Sequence, residues 1–298
     1  SYSSIIDPTT SLIADFSGFR NIVFTIMNAI GFQKYTPNFE STHLSTKAGP
    51  NCQAMQGSII DIEFLPPELI SDLDILAPGV KSRIESIKSV IDITKYKETF
   101  KINPKGLIRK LSIVSDPEGK ERVIGIGDYW SQTALKPFHE HILHNLRYLK
   151  SDYTFKQLSP MDTLSGHSSY FSLDLSSATD RFPIGFQSLV VEYLAGEEFA
   201  LAWRRVMTDH GFRSPEGNDL HYSVGQPMGL YSSWAVFALS HHIVVQYANL
   251  KAKQALNLDY ALLGDDIVLT DPKVANEYKN IIQSFGVQIS EMKSHESD

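Results

Sequence analysis

Asp174 ends the apolar run Tyr170-Phe171-Ser172-Leu173-Asp174-Leu175, and Asp265 and Asp266 sit in a turn between Ala261-Leu262-Leu263 and Ile267-Val268-Leu269. Ionised carboxylates beside dry strand ends are costly unless something compensates them. A pair of hard divalent cations does so directly, because Mg²⁺ takes oxygen ligands and is usually held by one or two carboxylates plus substrate phosphates. Two such ions about 3.5–4 Å apart activate an attacking oxygen and stabilise a leaving one in an in-line displacement. An isolated Gly-Asp-Asp is an ordinary hairpin turn. Here the flanking apolar runs imply strands buried on both faces, which sets this turn apart.

The elements that must position these groups follow from periodicity and punctuation. Tyr170 to Leu175 reads as a strand, Ser176 to Asp180 as a polar turn, and Ile184 to Gly196 and Ala200 to His210 as helices. A hairpin is expected over Gly211 to Val224 around Glu216-Gly217-Asn218, then a long helix from Gly229 to Ala255. Tyr260 to Leu263 and Ile267 to Thr270 flank the Gly264-Asp265-Asp266 turn. Pro272 to Phe285 is a helix with Asp271 as N-cap, and Val287 to Ser290 is a short strand. That order lets Asp174 and Asp265 meet on adjacent strands. Upstream, Asn21 to Phe32 and Lys81 to Tyr96 read as helices, a short acidic helix lies between Pro66-Pro67 and Pro78-Gly79, and Thr36 to Gln53 reads as loop.

Composition narrows the class. The 298 residues are 42% hydrophobic and 20% charged, as in ordered globular chains. A single cysteine, Cys52, excludes an intrachain disulfide. The longest apolar stretch, Trp234 to Ala248, is interrupted by Ser240, His241, His242 and Gln246, so no membrane span is expected. The net charge of -7 argues against a wholly basic nucleic-acid binder. Its distribution is uneven, however. Lys95 to Arg122 holds eight basic and four acidic residues, giving +4 there and -11 elsewhere. Within it, Leu107 to Ser115 and Glu121 to Ile126 flank Asp116-Pro117-Glu118-Gly119, a hairpin signal, so a basic hairpin able to cradle an anion is expected.

These segments together resemble the mitovirus and narnavirus-like RNA-dependent RNA polymerases. Leu173-Asp174-Leu175-Ser176-Ser177-Ala178-Thr179-Asp180-Arg181-Phe182-Pro183 is similar to motif A, and Gly225-Gln226-Pro227-Met228-Gly229-Leu230-Tyr231-Ser232-Ser233-Trp234 to motif B. Leu263-Gly264-Asp265-Asp266-Ile267-Val268 resembles motif C, Ser290-Glu291-Met292-Lys293-Ser294-His295 motif D, and Ile113 to Pro137 motif F with its following helix. The resemblance spans roughly residues 40 to 298 in the family's order F, A, B, C, D.

It implies an α+β fold: a polymerase right-hand palm, an antiparallel sheet with packed helices, plus partial, mainly helical fingers. The implied division is an N-terminal or fingers region over 1–94, fingers with the basic hairpin over 95–160, and the palm over 161–298, with a fingers insertion at 211–224. Implied ligands of two Mg²⁺ ions, or of Mn²⁺ in their place, are Asp174, Asp265 and, more weakly, Asp266. Arg109, Lys110, Lys120 and Arg122 would hold the triphosphate, Asp180 would sense the ribose 2′-hydroxyl, and Lys293 would protonate the leaving pyrophosphate. Gly225 and Gly229 would let the backbone approach the template. Implied partners are RNA template and product and ribonucleoside triphosphates. A mitochondrial location follows from the resemblance alone, since Asp7 and Asp15 against Arg20 do not make a transit peptide.

Two departures matter. Many viral polymerases pair the second motif A Asp with a motif B Asn; here Trp234, Ala235, Val236 and Phe237 follow Ser233, so Ser232 or Ser233 is expected to serve. The chain also begins Ser1-Tyr2-Ser3 without Met and stops just after motif D, so a fragment or processed chain without the thumb is expected. A second chain would then supply the thumb. The alternative is an inactive or split-polymerase piece acting as an RNA-binding or interaction module. Other chemistries fit less well. Reverse transcriptases usually place an aromatic residue two positions before the Asp pair and a bulky aromatic gate in motif A. His139-Glu140-His141 lacks the His at 143 of a zinc helix, and Gly125-x-Gly127 lacks a third glycine at Trp130. His241 and His242, adjacent on one helix, point apart and suit packed or hydrogen-bonded roles.

Overall fold

A computed structural model describes residues 1–8, 11–39, 49–156, 164, 166–290 and 295–297. Its first helices are α1 (Ser3–Ile6), α2 (Arg20–Ala29), α3 (Ala54–Ile60), α4 (Pro67–Leu76), α5 (Val80–Val90), α6 (Ile93–Thr99) and α7 (Tyr129–Leu146). Then follow α8 (Ala178–Arg181), α9 (Ile184–Ala195), α10 (Glu197–Thr208), α11 (Ser233–Lys253) and α12 (Pro272–Ser284). The strands are β1 (Arg109–Ser115), β2 (Glu121–Gly127), β3 (Tyr170–Asp174), β4 (Phe212–Arg213), β5 (Asp219–Leu220), β6 (Tyr260–Leu263), β7 (Asp266–Leu269) and β8 (His295–Ser297).

They form two four-stranded sheets. The first, ordered β6-β7-β3-β8, is antiparallel throughout. The second, β2-β1-β4-β5, is mixed: two antiparallel hairpins join through a parallel contact of Lys110 with Arg213. The hairpin expected at 211–224 therefore extends the basic hairpin.

Local chemistry explains the boundaries. At the β1–β2 turn, Asp116 Oδ1 accepts from the N–H groups of Glu118 and Lys120 at 3.0 and 2.8 Å, and Gly119 takes φ +82°. Asp128 caps α7 by accepting from Ser131 N–H, and Asp271 caps α12 by accepting from Lys273 and Val274 N–H. The helix expected over Lys81 to Tyr96 is instead two. Ile91 is extended and Asp92 caps a new helix by accepting from Lys95 N–H, so a side-chain bond outcompetes continuation. The long helix starts at Ser233, not at Gly229, because Gly229 and Ser232 both have positive φ. The expected strand Val287 to Ser290 is reduced to a single bridge between Leu175 and Ile289. The expected polar turn after β3 holds the short α8.

α11 is buried around nearly its whole circumference and forms the axis of the molecule. One continuous apolar cluster runs from Ile5 and Val23 through Leu69, Phe138, Leu173, Phe237 and Ile267 to Val287, so all three expected regions share a core. Phe16 and Phe19 close one side of it. Phe16 meets Phe285 edge-on at 5.2 Å, and Phe19 meets Phe186, Tyr247 and Phe285 at 5.7–5.9 Å. Among the described residues no helix is long and apolar enough to cross a membrane.

Candidate active site

The β3–β7 register places Asp174 directly opposite Asp266, and Leu175 N–H donates to the Asp265 carbonyl at 3.3 Å. Carboxylate oxygens of Asp174, Asp265 and Asp266 consequently lie within 4.8 Å of one another. Asp174 is buried, Asp265 half-buried and Asp266 exposed. Like charges facing across a strand pair repel. A donor set of hard oxygens carrying this much negative charge fits Mg²⁺ or Mn²⁺ and is wrong for a soft metal. The same field reaches Tyr278: burial first, then Asp265 and Asp174, push its hydroxyl well above the ordinary range.

The turn is held from beneath. Gly264 takes φ +60°, and a Cβ there would lie 3.0 Å from Trp234 Nε1, so glycine is favoured. A carbonyl only accepts, so His241 Nδ1 donates to Gly264 O at 2.8 Å, and Nε2 accepts from Tyr278 Oη at 2.6 Å. Burial pushes His241 down to about 4, keeping that neutral tautomer. His242 turns the other way: Nε2 meets Asp152 Oδ1 at 2.9 Å and Nδ1 meets Tyr260 Oη at 2.7 Å, tying β6 to α11. Both histidines are thus packed and hydrogen-bonded, with different partners.

Above the carboxylates opens a cleft of about 550 Å³. Asp174, Asp265 and Asp180 line one side, with Lys120 and Arg122 from the β1–β2 hairpin also on its wall. Arg122 reaches Asp116 Oδ2 at 3.5 Å, a solvent-exposed contact. Two of the four expected triphosphate residues are not brought here. Arg109, at the base of the hairpin opposite Gly127, is 1% exposed and stacks at 5.4 Å on the Phe212 ring. Burial lowers it to about 10 against the pull of Asp128 and Asp209. Lys110 pairs with Ile126 at the same end of the hairpin and lies against β4. Only the distal part of the strands reaches the cleft.

The 225–232 segment is tied to neighbouring backbone at several points, while Met228 lines the cleft and Gly229 is exposed. Gly225 N–H donates to Asp180 O and Gln226 N–H to Thr179 O, at 3.0 and 2.9 Å. A Cβ on Gly225 would lie 2.1 Å from Thr179 O, so this glycine serves the approach of two protein backbones. Gly229 packs on the hairpin, where a Cβ would meet Gly125 O at 2.3 Å. Ser232 Oγ accepts from Trp203 Nε1 at 2.9 Å, and Ser233 is buried with its carbonyl accepting from Gln226 Nε2. Neither serine lines the cleft. Asp180 instead accepts from Ser4 Oγ, at 2.8 Å. Lys293 lies outside the described residues.

Ser232 N–H donates to His139 Nδ1 at 3.0 Å, and burial lowers His139 to about 4. Its unfolded value is about 6.5. The unfolded chain therefore binds the proton first, and this contribution to stability is complete above about pH 6.5 and lost as pH falls toward about 4. Between pH 7.5 and 5 the thermal midpoint of the wild type is expected to fall more than that of His139→Asn, whose amide oxygen replaces Nδ1. Equal falls would remove His139 from the pH response.

Sequence reasoning missed Ser4, and also His241 as the support of Gly264. Nothing in local pattern links Ser4 to a residue 176 positions away. His241 carried a weak signal, a polar residue within an otherwise apolar helix.

With this geometry in hand, the relatives are informative. The family model for mitovirus RNA-dependent RNA polymerase matches residues 36–298. The RNA-directed RNA polymerase of Cryphonectria parasitica mitovirus 1 is 38% identical over 194 residues, covering 63% of this chain and 24% of that protein. An uncharacterized mitochondrial protein of Arabidopsis thaliana is 38% identical over 156 residues, covering 50% of this chain and 76% of that protein. The chain thus spans about a quarter of the length of the viral relative. Among solved structures, the RNA-dependent RNA polymerase of a human picorbirnavirus superposes with TM-score 0.61 at 12% identity, covering 99% of this chain and 57% of that one. That likeness establishes an α+β polymerase fold, and the match across 36–298 makes the chain a member of the mitovirus RNA-dependent RNA polymerase family.

Proposed function

We propose that this chain carries the nucleotidyl-transfer centre of an RNA-directed RNA polymerase, adding ribonucleotides to an RNA 3′ end as an RNA template directs. The observation that carries the reading is a single cleft lined by Asp174 and Asp265, two members of the carboxylate cluster, and by the cationic side chains of Lys120 and Arg122. Asp174, Asp265 and Asp266 hold Mg²⁺, or Mn²⁺ in its place, with exposed Asp266 the outermost. The bound ions supply activation of the attacking hydroxyl and charge neutralisation at the leaving group.

The protein's own groups do the rest. Lys120 and Arg122 orient the triphosphate; the planar guanidinium suits phosphate oxygens. Asp180 accepts from the ribose hydroxyl. The 3′-hydroxyl gives up its proton to solvent, its oxygen bonds to the α-phosphorus as the bond to the bridging oxygen breaks, and pyrophosphate departs. Lys293, assigned by its motif D position, protonates it. In this reading 161–298 forms the palm, 95–160 the fingers with the basic hairpin, and 1–94 the remaining fingers. The mitochondrial character of the relatives supports the same location for this chain.

Purified chain with RNA template, primer and labelled ribonucleotides is expected to extend the primer with Mg²⁺ and to stop on chelation. Template-independent incorporation, or none even when the remaining segment of a longer relative is added, would overturn the reading.

A further inference from the structure

The family match starts at residue 36, yet the cleft is walled partly by residues before it: Ser1 and Ser4 line it beside Asp180. Their presence is not a loose contact. Arg181 donates from Nη1 to Ser4 O and Asp7 O at 3.3 and 3.0 Å, and from Nη2 to Pro8 O at 3.3 Å. Ser223 N–H donates to Ile5 O at 2.9 Å, and its hydroxyl bonds the carbonyls of Ile5 and Asp7. Ile5 itself is 1% exposed in the main core. The segment is clamped between α8 and the chain leading into Gly225.

The backbone at Asp180 is equally fixed, since Thr179 O and Asp180 O accept from Gln226 and Gly225 N–H. What remains to be set is the side-chain rotamer. The two serines expected to set it are turned elsewhere: Ser232 toward Trp203, and Ser233 into the core. Among the described residues, the side-chain donor that reaches Asp180 Oδ2 is Ser4 Oγ. We propose that Ser4 is a positioning residue that aims the Asp180 carboxylate at the ribose hydroxyls of the incoming nucleotide, and so a determinant of ribo- over deoxyribonucleotide choice. This rests on the reading of the cleft as a nucleotide site. Burial holds the Asp180 carboxyl above the usual carboxylate range, and donation from Ser4, then the charge of Arg181, work against that rise, so the Ser4 bond favours the ionised acceptor. A site built around a buried polar acceptor rejects an analogue lacking the matching hydroxyl far better than an apolar site does.

The test measures binding without chemistry. The full chain is loaded with an RNA template and a primer ending in a 3′-deoxynucleotide, and Kd is measured for ATP and for 2′-deoxy-ATP with Mg²⁺. Wild type is expected to prefer ATP, and Ser4→Ala to lose about tenfold of that preference through weaker ATP binding, the worth of one hydrogen bond to a charged group. Ser4→Thr, which keeps the donor, should retain it. A merely structural role would weaken both nucleotides together and leave the ratio unchanged. An unchanged ratio in Ser4→Ala, with Asp180→Ala collapsing it, overturns the inference alone. Absence of template-dependent ATP binding in wild type overturns the nucleotide reading and the inference with it.

Discussion

Asp265→Asn is expected to lower nucleotide incorporation by about 10³-fold or more while leaving the fold intact, because it removes one charge from the set we propose to hold the metal. The substitution is nearly isosteric, and the Leu175 N–H bond to residue 265 uses the backbone carbonyl, so that tie survives. Without divalent cations the variant should be at least as stable as wild type. Asp174, Asp265 and Asp266 crowd their oxygens within 4.8 Å, and removing one charge relieves repulsion. With Mg²⁺ the order should reverse, since a ligand that binds only the folded state raises its stability by RT ln(1 + [L]/Kd). Thermal unfolding at increasing Mg²⁺ reads this independently of turnover. A variant that keeps wild-type incorporation, or gains as much stability from Mg²⁺ as wild type, would remove Asp265 from the metal site.

Gly225→Ala is expected to be the most damaging neutral substitution. Its Cβ would lie 2.1 Å from Thr179 O and 2.5 Å from the carbonyl carbon of Asp180, both backbone atoms that no side-chain rotation moves. Relief requires separating the 225–226 strand of chain from α8 and losing the Gly225 and Gln226 N–H bonds to it. We expect a cost of about 3 kcal/mol or more, seen as a fall in Tm of about 6–10 °C. The displaced α8 carries Asp180, so activity should fall further than stability alone explains. Gly18→Ala is the control: a Cβ there has no neighbour within 4 Å and should be nearly silent. Equal melting of both variants would show that the two backbones are not held together.

The pattern of success and failure in the sequence has a physical cause. The clustering of the carboxylates was legible because charge at the end of an apolar run contradicts its surroundings. The basic hairpin was legible because Asp116 and Gly119 write their turn locally. The division of the helix at Ile91 also had a local sign, the Asp92 cap, which helical periodicity obscured. Arg109 was misplaced because charge alone does not say which end of a hairpin faces the cleft; burial against Phe212 decides it. Ser4 was illegible for a different reason. Its contact with Asp180 joins distant segments through tertiary packing, and one serine among Ser1, Ser3 and Ser4 carries no periodic signal.

Phe16 and Phe19 give this a wider consequence. Their rings cover Phe186 and Phe285, each 1% exposed, and both precede residue 36, where the family match begins. A polypeptide trimmed to that boundary would open an aromatic face to water, with roughly 2 kcal/mol forgone for each ring uncovered. Contiguous faces of this kind drive self-association. The aromatic cover of this core therefore begins upstream of the segment by which kinship is recognised.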